Sequence, residues 1–337
     1  MNAPSPRSRV AAPGPWLAVV IVAAAGLLLA ACPSSPSQPL RIGLNPWPGY
    51  DFLYLAAEKG WIAEAGGHVE IVELTSLGDS RRAFERGQVD AFGGTPVELL
   101  LSRQGSDRRP RAFYVTDWSE GADQVLARPP ASAMADLRGK RVGVEPASLD
   151  LLVLATALDR AGMGYDAVQR VAVSQAKLPG AIASGRIDAA VSYPPVAQTL
   201  RERFGMRPVF DTADAPRAVL DLFIADAGAL KRRPEDFTAV VRAFHRAVRF
   251  ARRHPHEAYR LMGRREGLSA EQVRSTLAGM HVLDLPAQGD LWRADGAVDR
   301  TLRRTGRILR DAGHLSASPA VADLIDPTVV QNAGSRP

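Results

Sequence analysis

The stretch from Arg41 to Ala56, RIGLNPWPGYDFLYLA, contains a short apolar strand, a turn rich in Pro and Gly, and the start of a helix. The change from strand spacing to helix spacing across one tight turn is typical of half a βαβ unit. A similar stretch, RVGVEPASLDLLVLA, begins at Arg141 and has a turn that is one residue shorter. The repetition predicts two similar α/β units.

A second pair of similar segments follows the first pair in the same order. The matched residues are Ala83, Gly87, Asp90, Ala91 and Val97 in the first copy and Ala181, Gly185, Asp188, Ala189 and Val196 in the second. Both copies are typical of a helix end with a Gly cap, a short buried strand and a turn into another helix. Open α/β sheets bind ligands beyond the carboxyl ends of their strands, so two such lobes are expected to enclose a ligand cleft.

The first residues have the pattern of a secretory leader. Arg7 and Arg9 precede an apolar run, Leu17 to Ala31, that is short for a membrane span. The run ends at Cys32, the only cysteine of the chain, in a Leu-Ala-Ala-Cys sequence that resembles a bacterial lipobox. We therefore predict a lipoprotein signal peptide at 1–31, lipidation of Cys32 and a Pro/Ser tether at 32–39. The alternative is an ordinary signal peptide or anchor with an incidental cysteine.

Strand patterns divide the remaining chain into two lobes. Predicted strands lie at 41–44, 69–74, 89–92, 111–118, 123–127, 141–144, 168–173, 187–192, 207–210 and 219–225. We predict that lobe 1 comprises 40–119 and 222–337 and that lobe 2 comprises 120–221. The pattern from Pro234 onward is helical, and this tail is expected to pack outside lobe 1. Residues 75–79 are predicted to be a turn that precedes a helix at 80–86.

Composition argues against several classes of protein. The formal charge of +6 comes from basic residues that are spread out, whereas a nucleic-acid footprint would be clustered. One cysteine excludes internal disulfides and cysteine-based metal clusters, and the six His residues have no metal-ligand spacing. Neither a P-loop nor a nucleophile elbow is present in the sequence. No catalytic residue, metal or cofactor is therefore predicted.

Candidate ligand-binding residues lie at the strand-to-helix turns. In the first turn, Asn45, Trp47 and Tyr50 precede a helix start, where free N–H groups and aromatic rings could contact a solute. Corresponding places in other turns hold Ser76, Thr95, Ser148 and Tyr193. The alternative is that these residues only cap their own helices or cover the core.

Acidic side chains form a second group of candidates. The group consists of four acids, Asp117, Asp123, Glu145 and Asp221, together with Ser119, and they lie at the two predicted crossings between lobes or at a strand end. An aspartate in an apolar strand is costly when it is buried without partners. A hinge cap or a salt bridge to an Arg is the alternative.

The quoted stretch, the LRGKRVGVEP run at 137–146, and the GQVDA and GRIDA segments resemble the nitrate/sulfonate/taurine-type solute-binding proteins of bacterial ABC importers. The resemblance covers residues 40 to about 310. It implies a two-lobed α/β fold of the type II periplasmic-binding class that closes on one small solute and has ABC permease and ATPase subunits as partners. It also implies a monomer on the periplasmic or cell-surface face, held at the membrane only by its N-terminal lipid, and no nucleic acid. Turns that commonly contact ligand would carry Asn45, Trp47, Tyr50, Ser76, Thr95, Glu145 and Tyr193.

The acids set this chain apart from members of the group that bind small oxyanions, which usually have neutral or basic clefts. We therefore expect a solute with a cationic or donor-rich group, such as an amine, amidine or aminopyrimidine, with Trp47 and Tyr50 against its flat part, and binding that Glu145→Gln weakens. One alternative function is a thiamine-pyrimidine-synthase-like enzyme of the same fold, which incubation with pyridoxal phosphate and iron would reveal. The other is a ligand receptor for a sensor protein.

Overall fold

The computed structural model of the chain describes residues 1, 38–317 and 319–335. It confirms the predicted two-lobed α/β class, because lobe 1 contains a six-stranded sheet and lobe 2 a five-stranded sheet. The predicted signal peptide and Cys32 lie outside the described residues. Within the described part of the chain, no helix has the length and apolar character needed to span a bilayer.

The strands are numbered along the chain. They are β1 (Leu40–Leu44), β2 (Val69–Glu73), β3 (Ala91–Gly94), β4 (Pro110–Ser119), β5 (Gln124–Ala127), β6 (Arg141–Val144), β7 (Gln169–Ala172), β8 (Ala189–Ser192), β9 (Arg207–Asp211), β10 (Leu220–Asp226) and β11 (Met280–Val282). Lobe 1 has the order β11-β4-β10-β3-β1-β2, and lobe 2 has β7-β6-β8-β5-β9. In each sheet three parallel strands are followed by one antiparallel strand, and a further strand pairs antiparallel with that one. Lobe 2 therefore repeats lobe 1 without the β11 edge.

Helices cover the faces of both sheets. They are α1 (Asp51–Glu58), α2 (Trp61–Glu64), α3 (Leu77–Glu85), α4 (Pro96–Gly105), α5 (Asp150–Arg160), α6 (Leu178–Ala183), α7 (Val196–Phe204), α8 (Ala227–Arg232), α9 (Pro234–Arg253), α10 (Pro255–Glu266), α11 (Ala270–Leu277), α12 (Ala297–Asp311) and α13 (Thr328–Gly334). Short 3₁₀ turns lie at Met134–Leu137, Gln175–Lys177, Thr212–Asp214, Leu285–Trp292 and Val321–Asp323.

The longest helix shows why these segments fold as they do. In α9, Pro234 occupies the first helical position, where its missing N–H costs nothing, and acidic residues follow it in the first turn. Two Arg residues lie in the last turn, where they complement the helix dipole. Buried apolar residues recur every three or four positions, so one face packs on lobe 1.

The two sequence repeats correspond to the same structural frame. The backbone N–H of Arg41 donates to the Asp90 carboxylate at 3.0 Å, and that of Arg141 donates to the Asp188 carboxylate at 2.9 Å. In both lobes this bond joins the amino end of the central parallel strand to the residue before a neighbouring strand. The internal sequence repeat therefore reflects a repeated βαβ geometry.

Two details of the predicted layout were wrong. The helix predicted at 80–86 begins at Leu77, because the Ser76 side chain caps its first turn by accepting the Asp79 N–H at 3.1 Å. The tail is not purely helical, since β11 pairs with the end of β4. The tail also reaches lobe 2, where Arg304 Nη2 donates to Thr156 Oγ1 at 3.4 Å.

Candidate functional site

A small cavity lies where the turns of the two lobes meet. It encloses about 170 Å³ of atom-free space and is lined by Asn45, Trp47, Leu77, Leu149, Tyr193 and Asp221. The gaps within it are too narrow for a water molecule. A solute could therefore occupy this place only if the two walls moved apart.

Both lobes contribute an aromatic ring to the cavity. Trp47 comes from the turn after β1, and Tyr193 follows β8 in lobe 2. Their ring centroids are 5.9 Å apart in an edge-to-face arrangement. Leu77 and Leu149, which sequence reasoning did not single out, add apolar surface from the starts of α3 and α5. Such a wall suits a flat, partly apolar solute.

Three polar atoms of the lining are buried without a hydrogen-bond partner. They are Oδ1 of Asn45, Oδ2 of Asp221 and the hydroxyl of Tyr193. Buried polar atoms are normally paired, so unpaired ones that converge on a cavity are candidates for contact with a ligand. Asn45 Oδ1 can only accept, and Asp221 Oδ2 accepts when its carboxyl group is ionised, so both can bind hydrogen-bond donors of a ligand.

Asp221 and Asp117 face each other across β10 and β4, behind the cavity. Asp221 Oδ1 accepts from the Tyr50 hydroxyl at 2.9 Å, and Asp117 accepts from Trp47 Nε1 at 3.3 Å. Burial and then the neighbouring Asp117 raise the pKa of Asp221 well above its usual range. Tyr50 stacks on Phe223 and does not line the cavity, so its predicted contact with the ligand is replaced by support for Asp221.

Asp123 and Glu145 are also deeply buried, at 1% and 2% exposure, and each has one carboxylate oxygen without a partner. Burial raises the pKa of Asp117, Asp123 and Glu145 to about 7. Among the described residues that line the cavity there is no Lys or Arg. The site is thus electronegative wherever these carboxyls ionise, and it favours cations and donors over anions.

A carboxylate that the sequence analysis missed joins the lobes. Oε1 of Glu98, on α4 of lobe 1, accepts from Ser148 Oγ at 2.8 Å and from the Leu149 N–H at 2.9 Å in lobe 2. Its Oε2 accepts from the N–H and hydroxyl of Thr95 at 3.0 and 2.5 Å. We call these contacts the Glu98 clasp. The Thr95-to-Glu98 capping box could have indicated the contacts within lobe 1, but not those to lobe 2.

The crossings between lobes are tied to each other. Ser119 Oγ lies 2.7 Å from Thr212 Oγ1, and it accepts the Asp123 N–H at 3.1 Å. Thr212 Oγ1 also accepts the Gly121 N–H at 2.8 Å. Ser119 therefore binds neighbouring backbone, in the manner of the alternative considered for it, while Asp123 keeps one oxygen unpartnered.

A larger groove with about 1170 Å³ of atom-free space lies elsewhere on lobe 2, around Arg128, Lys140 and the Arg141–Asp188 ion pair. None of the described residues that line it has a buried polar atom without a partner. It lies at the amino ends of β6 and β8, away from the turns that face lobe 1. Across the described residues, no group of three or more His, Cys, Asp or Glu side chains could hold a metal ion. The smaller cavity is therefore the candidate site.

Comparison with known proteins gives both a family and a fold. A family profile described as NMT1/THI5 like matches residues 47–258. A Brucella abortus protein described as a binding protein is 28% identical over 225 residues, which cover 65% of this chain and 69% of the relative. A formylaminopyrimidine-binding protein of Halalkalibacterium halodurans is 27% identical over 173 residues, which cover 49% of this chain and 52% of the relative.

Solved structures share the architecture at lower identity. The alkanesulfonate-binding protein SsuA of Xanthomonas axonopodis pv. citri, bound to MOPS, superposes with a TM-score of 0.72 at 18% identity and covers 87% of this chain and 99% of that chain. The desulfurization enzyme DszB superposes with a TM-score of 0.62 at 21% identity, covering 87% and 98%. The fold is thus shared by binding proteins and by an enzyme.

Proposed function

The chain belongs to the NMT1/THI5-like family, and from this membership and the closed cavity we propose that it is the extracytoplasmic solute receptor of an ABC importer. It closes on one small solute between its lobes and delivers that solute to the permease, without chemistry of its own. The solved binding proteins of this fold, which include a ligand-binding component of an ABC-type import system from Staphylococcus aureus, support this role.

The solute is a flat molecule rich in hydrogen-bond donors, with an aminopyrimidine as the reference compound. The observation that carries this proposal is the set of unpartnered acceptors in the lining, beside two aromatic rings and without a basic side chain. An exocyclic amine or a protonated ring nitrogen would donate to Asn45 Oδ1 and Asp221 Oδ2, while Trp47 and Tyr193 contact the ring. The relative that binds formylaminopyrimidine supports the same ligand class.

A simple oxyanion fits this site poorly. A unit charge about 4 Å from a like charge is repelled by roughly 4 kcal/mol at an intermediate dielectric. Because burial raises the pKa of Asp221, it would impose that cost on nitrate or a sulfonate only at a pH at which it is ionised. The chain therefore differs in ligand from the SsuA structure that holds MOPS.

The experiment is calorimetry of the purified receptor with aminopyrimidines, benzylamine and benzamidine against nitrate, sulfate and methanesulfonate. The donor-rich compounds should bind more tightly, and Asp221→Asn should weaken the best of them about tenfold or more, since a hydrogen bond to a charged group contributes about 1.5–3 kcal/mol. Asp188→Asn, which removes a carboxylate far from the cavity, is the matched control. Tight binding of an oxyanion that Asp221→Asn leaves unchanged would refute the ligand class.

We further propose that Cys32 carries a lipid that holds the mature protein at the membrane. The Leu-Ala-Ala-Cys sequence after an apolar run supports this proposal. Intact mass of the membrane fraction tests it, because Cys32→Ser should remain uncleaved or change fraction. A wild-type protein without added lipid mass would exclude the anchor.

A further inference from the structure

The first turn of α3 (Leu77–Glu85) faces lobe 2. Ser76 accepts the Asp79 N–H, whereas the N–H groups of Leu77 and Gly78 belong to the set that helix geometry leaves without an intrahelical acceptor. These N–H groups and the helix dipole together attract negative charge. Helix α3 has nine residues, so its dipole is developed.

The carboxylate of Glu145, which directly follows β6 of lobe 2, packs against this turn. A Cβ atom built on Gly78 would lie 2.9 Å from Glu145 Oε1, so the glycine leaves room for that oxygen. Glu145 is 2% exposed, and its Oε2 is buried without a partner. One oxygen thus contacts the helix start of the opposite lobe while the other remains available.

The charged groups around Glu145 come from several elements. Arg82 and the hydroxyl of Ser76, at α3, favour its ionised form, whereas Asp79 on the same helix and Glu98 on α4 oppose it. Its own N–H donates to Asp150 at the start of α5 at 2.7 Å, which fixes the backbone of the turn. Because burial raises the pKa of Glu145 to about 7, the side chain is mostly an ionised carboxylate above that pH.

We propose that Glu145 acts as an internal anion, whose carboxylate takes the place at the start of α3 that a small monoanionic solute would otherwise occupy. Because the place is filled from within, the receptor rejects anions and selects donor-rich solutes. This inference deepens the proposed function and rests on it for the identity of the selected solutes. Exclusion of the anion itself depends only on the contact between Glu145 and α3.

The test is a comparison of Glu145→Ala with Glu145→Gln, using sodium acetate as the probe at pH 7.5 and constant ionic strength. Glu145→Ala vacates the place, so acetate should raise its Tm by a few degrees in a saturable manner. Glu145→Gln removes the charge but keeps the volume, and neither it nor the wild type should respond. The absence of an acetate response in Glu145→Ala, or an equal response in the wild type, would overturn the proposal.

A second variant covers the case in which Glu145→Ala does not fold. Gly78→Ala adds a methyl group at the contact while improving the intrinsic helix propensity of α3. The methyl group should displace the Glu145 carboxylate oxygen while the Glu98 clasp keeps the lobes together, so the pKa of Glu145 measured by NMR titration should differ from that of the wild type. An unchanged pKa would contradict the contact.

The acetate experiment also separates this inference from the proposed function. If acetate raises the Tm of Glu145→Ala but no amine or amidine binds the wild type, the ligand class is rejected and the internal anion is retained. If an aminopyrimidine binds but acetate leaves that Tm unchanged, the internal anion is rejected and the ligand class is retained.

Discussion

The unit that begins at Arg41 and the unit that begins at Arg141 share their amino ends and differ at their carboxyl ends. In both, the Arg backbone binds an Asp carboxylate on the next crossover, and a glycine in the strand packs tightly against neighbouring side chains. The following turns differ, because the first brings Trp47 to the cavity and the second brings Glu145 to α3. The backbone geometry is therefore repeated at the amino ends of the strands, and it diverges at the carboxyl ends, beside the candidate cavity.

The aspartates that open the two helices show the same divergence. Asp51 binds Arg265 Nη1 at 2.6 Å, and that guanidinium lies 3.5 Å from the centroid of the Tyr54 ring. The corresponding Asp150 accepts from Gln175 Nε2 at 3.0 Å. One unit therefore holds its buried acid with a cation and the other with an amide.

The largest expected effect is on pH dependence, because acids at the two ends of the strands shift in opposite directions. Burial raises the pKa of Asp117 and Glu145 to about 7, whereas the hydrogen bonds from Arg141 lower the pKa of Asp188. The unfolded chain ionises the cleft acids first, so the free energy of unfolding should fall as pH rises from about 4 to about 7. Each cleft carboxyl contributes at most about 4 kcal/mol of this loss.

Urea unfolding of the unliganded protein at pH 5 and pH 8 measures this dependence. Asp117→Asn should flatten the dependence, whereas Asp188→Asn should leave it unchanged over this range, because Asp188 loses its stabilising effect only as pH falls below about 4. Equal or greater stability at pH 8 would contradict the raised pKa values of the acids at the carboxyl ends.

A smaller effect should distinguish the two helix-opening aspartates. Arg265→Met removes the guanidinium that binds Asp51 and Glu266 in a buried cluster, and breaking such a pair costs about 3 kcal/mol of unfolding free energy. The neighbouring Arg264→Met, which breaks an exposed pair with Glu58, should cost less than about 1 kcal/mol. Urea titration of both variants measures the difference. Equal losses of unfolding free energy would show that Arg265 does not stabilise the buried Asp51 carboxylate.

The smallest effect should come from the shared glycines. A Cβ on Gly143 would lie 2.6 Å from Ile187 Cδ1, and one on Gly43 would lie 2.7 Å from Leu74 Cδ1, so each change to Ala should cost about 1–2 kcal/mol. Gly180→Ala, in an open position on α6, should be neutral or stabilising. Thermal unfolding of the three variants measures these effects. If only one of the two strand substitutions lowered the Tm, the two strands would not be equivalent in their packing.

The frame could be predicted from sequence because it depends on local spacing. The alternation of strands, glycines and helices predicted the two-lobed α/β class that the fold confirms. The edge strand β11 was not predicted, because three residues are too few to show an alternating hydrophobic pattern. Its pairing with β4 depends on tertiary contact. The early start of α3 was missed because the cap at Ser76 was interpreted as part of a turn.

The site could be predicted only in part. The turns indicated Asn45, Trp47 and Tyr193, and the second predicted crossing between lobes indicated Asp221. The fold brings all four to one cavity. Tyr50 lies behind that cavity because Phe223, from a strand more than 150 residues away, provides its stacking partner. The partners of Glu98 in lobe 2 could not be inferred either, since they come from a turn about 50 residues later in the chain.

The Glu98 clasp has a consequence for the rate at which a solute is captured. While Ser148 and Leu149 are bound to Glu98, the walls of the cavity leave no passage, and a solute must wait for these bonds to break. The observed rate of association should then stop rising at high solute concentration and level off at the frequency of spontaneous opening. That plateau would be the same for every solute that binds, because it is set by the opening rate of the unliganded protein and not by the solute.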